Sequence, residues 1–189
     1  MPVNVKRFAF VILLLCMAGC VTSNSVPIDP RDETLSLVYG YFDMKDAPSD
    51  LQWVSIKKDD IKPQYYAAGV KNGLFWHVGI GSGAYQVETF GGQGGLLARP
   101  FKYNFGTRGK NNSAIKAANP GVYFMGAYVF VEFSGGILGT DRFDMRPTKT
   151  PTEKELLQRL IVELESHEGL RIYARQITRA KTRLAELSR

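Results

Sequence analysis

The chain has 189 residues, of which 44% are hydrophobic and 22% are charged, and its formal net charge at pH 7 is +6. This composition excludes a mainly disordered protein, and the length fits one globular domain with or without a small appendage.

The first nineteen residues have the pattern of a cleaved export signal. A short basic segment with Lys6 and Arg7 precedes an apolar run from Phe8 to Leu15, and small residues follow up to Cys20. The apolar run is too short to span a bilayer. We therefore expect residues 1–19 to be absent from the mature protein.

The signal ends in Met17-Ala18-Gly19-Cys20, which resembles the lipobox of bacterial lipoproteins. The resemblance implies that Cys20 becomes the first mature residue and carries three acyl chains, which hold a protein to a membrane far more firmly than one chain does. Val21 stands where an aspartate would resemble an inner-membrane retention signal, so we expect the outer membrane and a periplasm-facing domain. The alternative is an ordinary secretory signal with Cys20 as a stray thiol.

Cysteine usage restricts how the mature domain is stabilised. Cys16 leaves with the signal, so Cys20 is the only cysteine that remains and neither an internal disulfide nor a thiolate metal site can form. The fold must depend on its hydrophobic core, and a chain of this length can bury one.

Residues 20–33 are polar and contain Pro27 and Pro30. This composition predicts a tether between the lipid and the folded domain. From Thr34 the hydrophobic period is two, as in a strand with one face in the core. Eight candidate strands are separated by Gly, Pro or Asn: Thr34–Tyr41, Leu51–Ile56, Tyr65–Val70, Leu74–Ile80, Tyr85–Phe90, Pro100–Phe105, Val122–Phe133 and Arg142–Arg146. Val122–Phe133 is apolar on both faces, which suits a strand covered on both sides. The pattern predicts a mainly β fold, an antiparallel β-sandwich of seven to eight strands over residues 34–146.

Three segments resemble known sandwich motifs. Val38-Tyr39-Gly40-Tyr41-Phe42-Asp43 and Gly83-Ala84-Tyr85-Gln86-Val87 resemble strands of transthyretin-like, carboxypeptidase-regulatory-like domains. The segment from Asn119 to Gly126 is similar to a strand that recurs in envelope lipoproteins. The resemblance implies the sandwich fold and carries no catalytic residue.

The period changes at residue 150, where two amphipathic helices are predicted over residues 150–189. Thr150 as N-cap, Pro151 in the first turn and Glu153 form a helix-start signal, and Gly169 is placed to end that helix. A second apolar stripe follows at helical spacing: Tyr173, Ile177, Ala180, Leu184 and Leu187. We expect a helical hairpin that packs on itself or on the sandwich.

Residues that could carry chemistry are few. The mature chain contains only His77 and His167, and neither has a second ligand at metal-binding spacing. The common motifs of serine hydrolases, zinc proteases and P-loop proteins are absent from the sequence. We predict no catalytic residue, no metal site and no cofactor.

Aromatic residues offer a candidate ligand surface, since exposed rings can stack on sugars. Adjacent rings in a strand point to opposite faces, so one of each pair must lie outward or under another element. The candidate surface consists of Tyr65, Tyr66, Trp76 and His77. The alternative is that these rings belong to the core.

The positive charge is concentrated at the C-terminus. Loss of Lys6 and Arg7 leaves 22 basic against 18 acidic residues, and residues 170–189 hold six basic residues against one acidic residue. Contacts to an anionic partner, whether phospholipid, acidic polymer or protein, are predicted for Arg171, Arg175, Arg179 and Arg183. The alternative is a solvated helix face, and in either case we expect their replacement by Gln to change fold stability little.

These features together favour a lipid-anchored, non-enzymatic binding or assembly module of the bacterial cell envelope. The membrane, through the N-terminal lipid, and an envelope protein or anionic surface are the expected partners, whereas nucleic acid is not. Two alternatives stay open, a hydrolase of envelope polymer that uses His77 and a purely structural lipoprotein.

Overall fold

The computed structural model describes residues 28–93, 100–105, 112–133 and 142–189. The predicted signal, Cys20 and the first residues of the tether lie outside these ranges. In the described ranges the strands are β1 (Ser36–Asp43), β2 (Trp53–Asp59), β3 (Gln64–Ala67), β4 (Gly69–Lys71), β5 (Leu74–Ile80), β6 (Gly83–Gln93), β7 (Pro100–Asn104), β8 (Ile115–Ala117), β9 (Val122–Phe133) and β10 (Arg142–Pro147). The helices are α1 (Glu153–Ser166), α2 (Glu168–Arg171) and α3 (Ala174–Glu186).

The strands form two sheets, and the predicted β-sandwich followed by C-terminal helices is confirmed. Sheet 1 has the order β10-β9-β1-β5-β4, and sheet 2 has the order β3-β2-β6-β7, with β8 on the first residues of β6. All pairs are antiparallel except β1 with β9, which are parallel. The residues between β1 and β9 include all the strands of sheet 2, which explains how two strands on one sheet can run in the same direction.

The space between the sheets is filled mainly by aromatic side chains. The ring of Phe42 on β1 lies at the centre, 4.9 Å from Phe75 and 4.6 Å from Phe90, and Phe105 and Tyr128 surround it at 5.5 and 5.8 Å. Tilted and edge-on contacts of this kind add to the free energy of burying the rings. Ten aromatic residues of the described ranges are buried in the core, as the alternative interpretation proposed.

A second core lies between sheet 1 and the helices. The apolar stripe of α1 and Ile177 and Ala180 of α3 pack on Leu37 and Tyr39 of β1 and on Leu74 and Trp76 of β5. Both faces of β1 are consequently buried, so the prediction of a strand with one face in the core is wrong. The helices cover the face that alternation alone assigns to solvent.

The predicted strand Tyr65–Val70 is divided between the two sheets. Its first part is β3, at the edge of sheet 2, and its second part is β4, at the edge of sheet 1. Ala68 lies at the crossing, where its backbone N–H donates to the Val54 carbonyl at 2.9 Å. Strand β8 was not predicted, because three residues are too few to show a period.

The helix boundaries differ from the predicted ones by a few residues. The N-cap of α1 is Thr152 instead of Thr150: the Thr152 hydroxyl accepts the N–H of Glu155, and the Glu155 carboxylate accepts the N–H of Thr152. The backbone N–H and the hydroxyl of Thr152 both donate to the Glu155 carboxylate, and these two bonds lower the pKa of Glu155. The helix ends at Ser166, before Gly169, which lies inside the short helix α2. The reciprocal cap decides where the helix begins, since it satisfies two backbone donors at once.

Candidate functional site

His77 lies on β5, on the side that faces sheet 2. Its ring meets that of Tyr66 edge-on, with centroids 5.2 Å apart, and its Nδ1 accepts the backbone N–H of Gly79 at 3.2 Å. Because Nδ1 accepts, the neutral ring carries its proton on Nε2. Burial lowers the pKa of His77 to about 4, since the imidazolium would lose its hydration. His77 is therefore a neutral imidazole at physiological pH.

Tyr66 joins His77 to a second tyrosine at the border of the inter-sheet core. The Tyr66 ring lies 5.9 Å from that of Tyr85, and its hydroxyl donates to Gln64 Oε1 at 2.8 Å. Burial raises the pKa of Tyr85, whose hydroxyl donates to the Gly81 carbonyl at 3.0 Å. Within the described residues, the hydrogen-bond and ring contacts of His77 include neither a carboxylate nor an aliphatic hydroxyl. This arrangement offers aromatic faces and a neutral donor, without the charge-stabilised base of a hydrolytic triad.

The other two aromatic candidates lie elsewhere. Tyr65 is 57% exposed on edge strand β3, where its side chain points away from that of Tyr66. Trp76 is only 7% exposed and packs under the helices. The structure thus brings Tyr66 and His77 together, whereas Tyr65 and Trp76 belong to other faces of their sheets. Trp76 is not part of an exposed ligand surface, because the helix layer covers its side of β5.

His167 belongs to a polar cluster that the sequence analysis did not identify. Its Nδ1 lies 3.2 Å from Glu163 Oε1 and 3.1 Å from Ser166 Oγ, and Lys71 Nζ donates to Glu163 Oε2 at 2.5 Å. Both the carboxylate and the hydroxyl approach the same ring nitrogen. A relay from hydroxyl through imidazole to carboxylate needs both nitrogens, so this geometry does not form a triad. Its effect is to connect edge strand β4 to helix α1.

Arg175 and Arg179 bind the residues that precede β1. Arg179 donates from Nη1 to the Leu35 carbonyl at 2.8 Å and from Nη2 to the Glu33 carbonyl at 2.9 Å. Arg175 forms an ion pair with the Glu33 carboxylate and donates to the Arg31 carbonyl at 3.4 Å. We call residues Ile28–Leu35 the N-terminal strap. The described part of the predicted tether is therefore bound to the domain.

The remaining two arginines are also engaged within the chain. Arg183 pairs with Glu153 at 3.1 Å and with Glu186 at 3.3 Å, and Arg171 Nε donates to the Glu165 carbonyl at 2.7 Å. All four arginines of the predicted anionic-partner contact thus bond within the chain. The sequence could not reveal that the strap and α1 supply acceptors beside them.

The described residues contain no group of three His, Cys, Asp or Glu side chains arranged to hold a metal ion. Of the helices that the structure describes, none is long and apolar enough to cross a membrane. Comparisons with protein-family models, with curated proteins and with solved structures found no significant match to this chain.

Proposed function

We propose that this chain is a lipid-anchored, non-enzymatic binding or assembly module of the bacterial cell envelope, attached through Cys20 and facing the periplasm from the outer membrane. The observation that carries the proposal is the export signal that ends in Met17-Ala18-Gly19-Cys20. The combination of a basic start, a short apolar run and a terminal cysteine is typical of a lipidated precursor. The outer-membrane address follows from Val21 after the cysteine.

The attachment of the strap supports an anchored role. A domain held by a lipid at Cys20 is pulled through the residues that precede β1, and here those residues are bound by two guanidinium groups. Arginine donates several hydrogen bonds in a fixed plane, so it suits a contact that must hold backbone carbonyls in place. The strap thus fixes the direction from which the tether reaches the domain.

The histidine geometry supports a non-enzymatic role. A hydrolase that uses His77 needs a nucleophile and an orienting carboxylate within hydrogen-bond reach. The ring of His77 instead contacts Tyr66, and its Nδ1 is occupied by a backbone N–H. The partly buried ring of His77 is better suited to support Tyr66 at the edge of the sandwich than to activate water.

Metabolic labelling with a clickable fatty acid tests the anchor. In the source bacterium, wild-type protein should incorporate the label and Cys20→Ser should not. Cys16→Ser is the matched control, because it removes a thiol four residues away inside the signal and should label as the wild type does. Incorporation into Cys20→Ser would contradict the proposal.

Complementation tests the non-enzymatic role. His77→Asn keeps an acceptor for the Gly79 N–H but cannot act as a general base, so it should restore the envelope phenotype of a deletion strain. Failure of His77→Asn at normal protein level would instead favour the hydrolase.

A further inference from the structure

One end of the sandwich combines the start of the described chain with an exposed apolar tip. The Ile28 side chain packs on Gly79, so closely that a Cβ on this glycine would lie 2.6 Å from Ile28 Cγ2. Gly79 is next to the last residue of β5, and only Gly81 and Ser82 separate β5 from β6. The strap therefore reaches the domain at the β5–β6 turn.

The β2–β3 hairpin tip, residues 59–63, lies at the same end. Lys58 pairs with Tyr85 and Asp59 with Ala84, both at the start of β6. A Cβ on Gly83 would lie 2.6 Å from Lys58 Cε, so the lysine stem rests on the first residue of β6. We call this end of the sandwich the tether end. It also holds Lys116 of β8, which pairs with Ala84.

Ile61 projects from the tether end into solvent. It is 97% exposed, the highest value among the exposed large hydrophobic side chains of the described residues, and its neighbours in the tip are exposed as well. Its backbone N–H donates to Asp60 Oδ1 at 2.8 Å, which fixes the turn locally. At the apex of a polar hairpin, the Ile61 side chain contributes no hydrophobic free energy to folding, because it buries no apolar surface in the domain.

The charges around Ile61 favour an anionic surface. Asp59 and Asp60 are each within ion-pair distance of a lysine on β2, with Lys57 at 3.6 Å and Lys58 at 3.8 Å. Lys62 and Lys116 form no ion pair with the described residues. The acidic residues of the tip are thus balanced, and the hairpin tip together with β8 carries a surplus of positive charge.

The length of the remaining chain limits how far this end can be from the lipid. Cys20 and Ile28 are separated by eight peptide steps, which span at most about 29 Å when fully extended. Because the strap is bound to α3, residues 28–35 add nothing to that reach. If all of residues 20–33 were free, as the sequence predicted, the domain could lie much farther from the lipid.

From these observations we infer that the tether end rests on the bilayer surface, with Ile61 inserted among the headgroups and with Lys62 and Lys116 facing lipid phosphates. The inference depends on the proposed lipid anchor at Cys20. It specifies the occupant of this end of the sandwich as the membrane that holds the anchor. An apolar side chain and flanking lysines are the usual elements of interfacial binding.

Site-specific fluorescence on the full lipidated protein tests the inference. Acylation blocks the sulfur of Cys20, so Ile61→Cys adds the one reactive thiol of the mature chain and accepts a polarity-sensitive fluorophore. Lys45→Cys is the matched control, since Lys45 is exposed just beyond the far end of β1, about 25 Å along the strand. The probes are vesicles of phosphatidylethanolamine and phosphatidylglycerol with nitroxide-labelled acyl chains.

On reconstitution, the emission at position 61 should shift to the blue and be quenched by the nitroxide, whereas emission at position 45 should stay as in water. Equal, water-like emission at both positions would overturn the inference and leave the anchor untouched. Failure of the anchor is recognised separately, because wild-type protein would then take up the fluorophore at Cys20. Replacing phosphatidylglycerol by phosphatidylcholine should weaken the quenching at 61, and unchanged quenching would overturn the role of the lysines.

Discussion

Arg179 shows how a surface charge becomes structural when backbone carbonyls lie beside it. Its guanidinium spans two carbonyls of the strap, and hydrogen bonds from a charged donor contribute more than neutral ones. In the sequence, Arg179 is indistinguishable from the other arginines of the C-terminal segment. Its partners, the carbonyls of Leu35 and Glu33, lie 144 and 146 residues earlier in the chain.

Arg179→Gln should lower the free energy of unfolding by about 1–2 kcal/mol, because Gln is too short to reach both carbonyls. Urea unfolding measures this change, and hydrogen exchange should show faster exchange in the strap. Arg189→Gln is the matched control, since Arg189 is exposed at the end of the chain and should change stability little. Equal stability of the two variants would contradict the structural role of Arg179.

His77 should make the fold sensitive to acid. Burial lowers its pKa to about 4 in the folded protein, against the usual value near 6.5. As the pH falls below 6.5, the unfolded chain therefore binds a proton that the folded chain rejects. The free energy of unfolding should decrease between pH 6.5 and pH 4 and not above that window.

His77→Asn should remove this part of the pH dependence, since Asn Oδ1 can accept the Gly79 N–H without titrating. We expect wild-type protein to lose roughly 2 kcal/mol more than the variant between pH 7 and pH 4.5, measured by urea unfolding. A His77→Asn variant with the same acid loss as wild type would show that His77 is not the group responsible.

At the scale of elements, the helix layer determines which side of sheet 1 is core. Leu160 of α1 is 0% exposed in the cluster that contains Leu37 and Trp76, while Val162, two residues later, is 67% exposed. A fully buried leucine contributes its transfer free energy, and its truncation also leaves a cavity. Leu160 thus lies on the buried face of α1 and Val162 on its exposed face, so substitutions at these two positions test how α1 is oriented.

Leu160→Ala should cost about 2–5 kcal/mol in the free energy of unfolding, whereas Val162→Ala should stay within about 0.5 kcal/mol of wild type. Thermal unfolding followed by circular dichroism measures both. If both variants had wild-type stability, the helices would not be packed on sheet 1. Strong destabilisation by Val162→Ala alone would mean that the helix is rotated from the orientation described.

The sequence predicted strands wherever alternation or an apolar run was long enough to be read. Val122–Phe133 was identified with its bounds because ten of its twelve residues are hydrophobic, which leaves a strong pattern. Strand β8 was not predicted, because its three residues are too few to show a period. The crossing at Ala68 was not predicted either, because a strand that passes from one sheet to the other keeps its period of two. Such features depend on partners distant in sequence, which local patterns do not contain.

The candidate site was predictable only in part, for the same reason. The sequence placed Tyr66 and His77 on neighbouring strands, and the two rings do meet. It could not reveal that Trp76, one residue away, faces a helix layer instead of solvent. Alternation assigns a residue to a face of a sheet, but the element that covers that face is decided by the whole chain.

At the scale of the whole molecule, the N-terminal strap is bound by the basic helix α3 and begins at the same end of the sandwich as the hairpin tip. Arg175 and Arg179 form an ion pair and hydrogen bonds with the strap. An anionic partner of the C-terminal helix would therefore compete with bonds inside the fold. The cations that form no ion pair within the described residues include Lys62 in the hairpin tip and Lys116 on β8, both at the tether end. The proposed lipid anchor and the proposed contact of the tether end would together hold the domain in one orientation on the membrane.

The lipid anchor is the claim on which this account depends most, and mass spectrometry of the mature N-terminus tests it directly. Protein purified from the envelope of the source bacterium should yield an N-terminal peptide that begins at Cys20, with a diacylglyceryl group on sulfur and an acyl group on the amino nitrogen. An N-terminal peptide with an unmodified Cys20, or one that still contains residues 1–19, would contradict the account.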